Sequence, residues 1–219
     1  ARIHSRKPAA YLTGIAYFAG LPFIVNEDVL IPRSPIGELI QRGFQPWLGE
    51  RAPLRILDLC TGSGCIAIAC AAAFPDAEVV AVDLSPNALD IAQQNVVKHG
   101  LEDRVSCVLS DLFMALKGQT FDLIVTNPPY VSTEEYEALP NEYRHEPRMA
   151  LETGQDGLEL PLKIIAQAKQ YLAADGLLLM DVGGTWPLLD EALPTLPLTW
   201  VEFEHGGDGV CAIEARDLP

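Results

Sequence analysis

From residue 54 onward, short runs of apolar residues alternate with longer stretches of helical character. The runs at 54–59, 77–82, 105–109, 121–126 and 177–182 are apolar almost throughout. Such runs suit strands buried on both faces of a sheet. Between them, helices are expected at 63–74, which is Ala-rich, from Ser85-Pro86 to about His99, and at 158–172, ended by Asp175-Gly176. A shorter helix is expected at 186–193, followed by strands at 199–204 and 210–215. Strands separated by helices predict a mostly parallel α/β sheet. The last two strands are linked only through Gly206-Gly207-Asp208-Gly209, too short for a crossover helix, so they should pair antiparallel at the sheet edge.

The first 45 residues follow another pattern. Residues 1–10 are polar and read as the end of a helix or a linker. Residues 11–32 carry aromatic and β-branched residues broken at Gly20-Leu21-Pro22, which predicts a β-hairpin. Pro32-Arg33-Ser34-Pro35 should start a helix that runs to about Phe44, with Ser34 as N-cap and Pro35 in the first turn. The expected division is therefore 1–45, linker, hairpin and helix, and 46–219, the sheet domain.

Candidate chemistry sits where the predicted strands end. Asp58-Leu59-Cys60-Thr61-Gly62-Ser63-Gly64-Cys65 joins the first parallel strand to its helix. Its glycines permit a tight turn and close ligand approach, and the helix start offers free N–H groups. Ala67 stands where a dinucleotide fingerprint tolerates Ala, so a nicotinamide or flavin site stays open on the turn alone. The next strand leads into Asp83, placed to hold ribose hydroxyls, and the third into Asp111-Leu112, placed to meet an adenine ring. The fourth ends in Asn127-Pro128-Pro129-Tyr130. Two prolines lack N–H groups and fix φ, so this segment is a stiff lip with outward carbonyls. The Asn127 oxygen and the Pro128 carbonyl can accept both N–H groups of a planar NH₂ while Tyr130 covers its face. Arg33 is a candidate for neutralising a carboxylate. His145 and Glu146 suggest acid–base work or loop ion pairs with Arg144 and Arg148. Trp186 and Trp200 read as packing residues.

The net charge of −15 argues against broad contact with a nucleic-acid backbone. An apolar content of 49% is ordinary for a chain that fills a core, and no apolar run is long enough to span a membrane. The five cysteines lack zinc-site spacing and suit reduced thiols in a cytoplasmic protein, with no metal expected. The chain starts at Ala1 with neither Met nor an apolar signal core, and is read as a piece lacking its natural amino-terminal part.

Together the glycine turn, Asp83, Asp111 and Asn127-Pro128-Pro129-Tyr130 resemble class I S-adenosylmethionine-dependent methyltransferases, and within them the protein-(glutamine-N5) methyltransferases. Tyr11-Leu12-Thr13-Gly14, Ile31-Pro32-Arg33 and Gly154-Gln155-Asp156-Gly157-Leu158 support the resemblance, which covers essentially the whole chain. Arg33-Ser34-Pro35-Ile36-Gly37-Glu38 and the stretch from Leu139 to Pro147 are similar to the branch that methylates the third protein of the large ribosomal subunit, rather than release factors. The resemblance implies a Rossmann-like, mostly parallel seven-stranded sheet with an antiparallel edge hairpin, preceded by a β-hairpin. It implies S-adenosylmethionine held by Asp58, Cys60, Thr61, Gly62, Ser63, Gly64, Asp83, Asp111, Leu112 and Asn127. The glutamine would be bound by Asn127, Pro128, Pro129, Tyr130 and Arg33, with Asn127, Pro128 and Tyr130 as the catalytic group. Residues 1–45 would be the remnant of a substrate-recognition region. The alternatives are methylation of release factors, exocyclic-amine methylation of a flipped base, a nicotinamide dehydrogenase, and a non-catalytic adaptor.

Overall fold

A computed structural model describes residues 6–219. The expected polar lead at residues 1–5 lies outside the described residues. A short helix α1 (Ala9–Thr13) stands where the first hairpin strand was expected to begin. The hairpin itself is β1 (Ile15–Phe18) and β2 (Leu21–Ile24), antiparallel, with Ile15 opposite Ile24. Helix α2 (Ile36–Gln41) follows, shorter than expected. The Ser34 hydroxyl does accept the Ile36 N–H at 3.2 Å.

The main sheet then alternates with helices: β3 (Arg55–Leu59), α3 (Cys65–Ala73), β4 (Glu78–Asp83), α4 (Pro86–His99), β5 (Val105–Leu109) and β6 (Phe121–Thr126). After them come α5 (Thr133–Ala138), α6 (Glu159–Ala168), β7 (Leu172–Asp181), α7 (Trp186–Ala192), β8 (Thr199–Trp200) and β9 (Val210–Glu214). Helix α4 shows why such boundaries fall where they do. Ser85 accepts the Ala88 N–H, Pro86 occupies the first turn, and Gly100 ends the helix in the left-handed region.

The seven strands run in the order β5-β4-β3-β6-β7-β9-β8. The five from β5 to β7 are parallel, while β9 is antiparallel to both of its neighbours. The expected sheet and edge hairpin are therefore present, although β8 is two residues rather than six. One boundary moves substantially. Asp175-Gly176 does not stop the helix before β7; it lies inside β7, where the register against β6 shifts between Phe121 and Leu123. The helix ends earlier, at Ala168, in a 3₁₀ turn over Lys169–Tyr171.

Side chains along each central strand alternate between two cores. Ile56, Val79, Leu123, Val125 and Leu179 face a core that also takes Phe18, Phe23, Ile36, Leu39 and Phe44, so the hairpin and α2 pack onto the sheet. Leu57, Leu59, Val80, Ile124, Leu178 and Met180 face the opposite core with α6 and α7. Trp186 and Trp200 pack tilted at 5.5 Å, in the packing role expected of them. Among the described residues no helix is long and apolar enough to cross a membrane.

One buried amide ties the hairpin to the sheet domain. Asn95, on α4, accepts the Ile24 N–H at 2.7 Å and donates to the Ile24 carbonyl at 3.0 Å. It also donates to the Ser63 carbonyl at 2.8 Å, in the glycine turn. An amide side chain thus serves the edge of β2 as another strand would. Replacing Asn95 with Ala strands one buried and two part-buried backbone groups, and Asn95→Ala is expected to cost about 3 kcal/mol in urea unfolding. A loss below about 1 kcal/mol would remove this linking role.

Candidate active site

Chain order reverses at β3: β4 and β5 lie to one side, β6 and β7 to the other. Open α/β sheets bind ligands outside such a switch point, at the strands' carboxyl ends. There Leu59 is paired with Thr126, whose hydroxyl donates to the Leu59 carbonyl at 2.9 Å. The glycine turn after Leu59 and the Asn-Pro-Pro-Tyr lip after Thr126 therefore leave the sheet side by side. A cleft opens above them, walled by Cys60–Ser63, Asp83, Asp111, Leu112, Asn127 and Pro129 on the sheet side. Pro32, Arg33 and Ser34 close it in front, with Met149 nearby.

The expected residues divide between the cleft wall and its support. Asp58 and Gly64 do not line the cleft. Asp58 is fully buried behind the glycine turn, where one carboxylate oxygen accepts the Thr61 hydroxyl and the Ala67 N–H. Its other oxygen is buried without a hydrogen-bond partner among the described residues. Burial pushes the Asp58 carboxyl up to about 7, against the lowering effect of Thr61 and Ala67 and with the charge of Asp83 adding to the rise. Asp83 does reach the cleft. Its two oxygens accept the Gly62 and Ser85 N–H groups at 2.8 and 2.9 Å, fastening the turn to the start of α4. Burial raises Asp83 as well. Each of its oxygens keeps a lone pair for a hydroxyl.

Backbone strain gathers on the same wall. Cys60 and Leu112 adopt φ of 58° and 46°, a conformation costing roughly 1–2 kcal/mol for a residue with a Cβ. Cys60 and Cys65 are among the residues that line the cleft. Burial, with Asp83 and then Asp58, raises Cys60 far above the ordinary thiol range, and burial with Asp58 pushes Cys65 up to about 12.

The lip is fixed from beneath. The Tyr130 carbonyl accepts the Thr185 hydroxyl at 2.7 Å. A Cβ at Gly157 would stand 2.2 Å from that carbonyl, and one at Gly183 would stand 2.7 Å from the Tyr130 ring. Only glycine fits either place. Tyr130 itself is pushed up to about 12 by burial, then by Asp181, and so keeps its proton. Pro128 is buried, and neither it nor Tyr130 lines the cleft. The Asn127 side-chain oxygen is buried and has no hydrogen-bond partner among the described residues.

Arg33 lines the cleft but is committed to Glu146, 2.8 Å from both carboxylate oxygens, and its guanidinium stands 5.2 Å over the Tyr143 ring. Glu146, nearly buried, also accepts the Ile31 N–H. The expected partners were otherwise: Arg144 pairs with Glu137 and Arg148 with Glu152, while His145 lies 3.4 Å from Glu27. The reason is reach. Glu146 points into the core behind Arg33, whereas Arg144 and Arg148 stay on the surface. Asp181, Thr185 and Asn95 were not singled out from sequence. Asp181 carried a readable signal, since it ends a strand like Asp83. Among the described residues, no cluster of three or more His, Cys, Asp or Glu is placed to hold a metal.

A model of the methyltransferase small domain family matches residues 46–154. The 16S rRNA N2 G1207 methyltransferase of T. thermophilus, solved with AdoMet and guanosine, superposes with a TM-score of 0.62 at 21% identity, over 92% of this chain and 50% of that one. The fold is thus that of a class I methyltransferase. Much closer in sequence are two proteins named ribosomal protein uL3 glutamine methyltransferase. That of Xanthomonas campestris pv. campestris is 52% identical over 218 residues, 99% of this chain and 70% of the relative. That of Francisella tularensis subsp. tularensis is 48% identical over 214 residues, 97% and 68% respectively. The chain belongs to the ribosomal protein uL3 glutamine methyltransferase family.

The raised Asp58 carboxyl makes stability depend on pH. A carboxyl whose folded value exceeds its unfolded one favours folding while protonated. That contribution is complete below 3.8 and is lost as pH rises through about 7. Asp58→Asn lacks this titration, so it should gain stability relative to wild type between about pH 4 and about pH 7. Urea unfolding of both proteins across that range measures the difference. A difference constant with pH would contradict the buried charge.

Proposed function

We propose that the protein transfers a methyl group from S-adenosylmethionine to the side-chain amide nitrogen of a glutamine in ribosomal protein uL3. The observation that carries the chemistry is the buried, unpartnered Asn127 oxygen beside the cleft. A buried acceptor without a donor is costly, and a substrate N–H relieves that cost. Family membership supplies the substrate class.

The cleft suits the methyl donor. The amide groups and thin backbone of Cys60–Gly64 take its amino-acid end, Asp83 its ribose hydroxyls, and Asp111 with Leu112 its adenine. Asp58 serves from behind by fixing the turn. When bound, the donor supplies an electrophilic methyl on a sulfonium. An amide nitrogen is a weak nucleophile because its lone pair is delocalised. Asn127 and the Pro128 carbonyl accept the two N–H bonds and so hold that nitrogen in one orientation, while Tyr130 covers the amide plane. Orientation of this kind replaces much of the entropy cost of the encounter. The two acceptor oxygens also face the positive charge that develops on nitrogen, and they need no reorganisation to do so. The nitrogen would gain the methyl as the methyl's bond to the donor's sulfur breaks and leaves a neutral thioether, and one amide proton would pass to water, with no ionised side chain required at the lip.

Residues 46–219 hold the donor and the lip in this reading. The segment before residue 46 adds the front wall through Pro32–Ser34 and belongs to the substrate side. The acidic surface suits a basic ribosomal protein, and a ribosomal substrate puts the reaction in the cytoplasm.

Asn127→Ala should retain donor binding in calorimetry but lower kcat/KM by about 10²–10³-fold. Near-normal transfer by this variant would end the assigned role. Incubating the enzyme with uL3, a release factor and RNA, then mapping the added mass, should find it on a uL3 glutamine. Methyl groups on the release factor or RNA alone would replace the reading with one of its alternatives.

A further inference from the structure

Asp181 ends β7 one position beyond Met180, which makes the last pair of the ladder with Thr126, the residue before Asn127. Its side chain is 3% exposed. One oxygen accepts the Ser34 hydroxyl at 2.7 Å and the other accepts the Gly183 N–H at 3.0 Å. Ser34 belongs to the front wall of the cleft, next to Arg33, and Gly183 is the residue on which the Tyr130 ring rests. One carboxylate therefore holds both sides of the space in front of the lip. Ser34 in turn receives the Ile36 N–H, which fixes its hydroxyl and points the proton toward Asp181.

We propose that Asp181 is a positioning residue for the glutamine side of the site, setting the separation between the Ser34 wall and the Tyr130 face. The proposal rests on the glutamine reading above. Asp181 touches neither the donor cleft nor, in this reading, the substrate, and acts through Ser34 and Gly183. Hydrogen bonds to a charged acceptor are about twice as strong as neutral ones, so ionisation tightens the clasp. Burial pushes this carboxyl up to about 6, against the lowering effects of Ser34 and Gly183. Asp208, from the loop before β9, adds to the rise, and Arg33, from the front wall, opposes it. Tyr130, from the lip, remains protonated across the same range. The clasp is thus charged at neutral pH and weakens in mild acid.

The test uses the whole enzyme, uL3 and saturating donor, so that Asp58 protonation on the donor side does not enter. Ser34→Ala should raise KM for uL3 about tenfold, with a much smaller loss of donor affinity. Ser34→Thr, which keeps the hydroxyl, should recover most of that loss. Wild-type kcat/KM for uL3 should fall below about pH 6, and Asp181→Asn, which still accepts from Gly183 and donates to Ser34, should lack that acid limb. A wild-type KM in Ser34→Ala, an equal loss of donor affinity in that variant, or an acid limb retained in Asp181→Asn would each overturn the proposal. Failure of the wild type to methylate uL3 would instead sink the glutamine reading and this inference together, whereas a methylating wild type with an unaffected Ser34→Ala sinks the inference alone.

Discussion

The Asn-Pro-Pro-Tyr lip depends on a steric constraint: the backbone and ring of Tyr130 must lie against chain that carries no side chain. Gly157 passes the Tyr130 carbonyl and Gly183 passes its ring at distances where a methyl group would overlap. These contacts hold the end of the Asn-Pro-Pro-Tyr segment while the two prolines hold its middle. The lip is therefore preset by packing, by covalent geometry and by the Thr185 hydroxyl on the Tyr130 carbonyl, and the Asn127 side-chain oxygen is left without a partner among the described residues. On the opposite wall, Asp58 and Asp83 accept turn and helix N–H groups and the backbone is bent around them, while one Asp58 oxygen stays without a partner among the described residues.

Those carboxylates have a shared character. Asp58, Asp83 and Asp181 all sit near the carboxyl ends of parallel strands of one sheet, are largely buried, and are raised by burial. N–H and hydroxyl groups, more than cations, satisfy them. Arg33 is the nearby cation, and Glu146 neutralises it. The cleft wall itself carries Asp28, Asp83 and Asp111 beside Arg33, a balance that in the proposed reading suits a positively charged donor.

The sheet was largely legible in the sequence because its central strands are apolar on both faces and are separated by well-capped helices. The strand-end residues were legible for the same reason: once the strands are placed, Asp83, Asp111 and Asn127 fall at their ends. What was hidden required three dimensions. Asn95 looks like any polar helix residue until the hairpin edge is brought against α4. Glu146 was assigned to neighbouring arginines because sequence distance cannot show that it turns inward toward Arg33. Asp175-Gly176 imitates a helix stop, although it lies within an irregular stretch of β7. The capping box at α5 was readable and overlooked: Ser132 and Glu135 satisfy each other's backbone N–H groups, as that spacing predicts.

The thiols beside the cleft carry a last consequence. A thiolate is among the best nucleophiles a protein offers, and a methylating enzyme that displayed one near its donor would alkylate its own wall. Cys60 and Cys65 escape because desolvation and neighbouring carboxylates keep both protonated at neutral pH. The same buried acids that shape the turn therefore also keep the thiols beside it protonated and weakly nucleophilic.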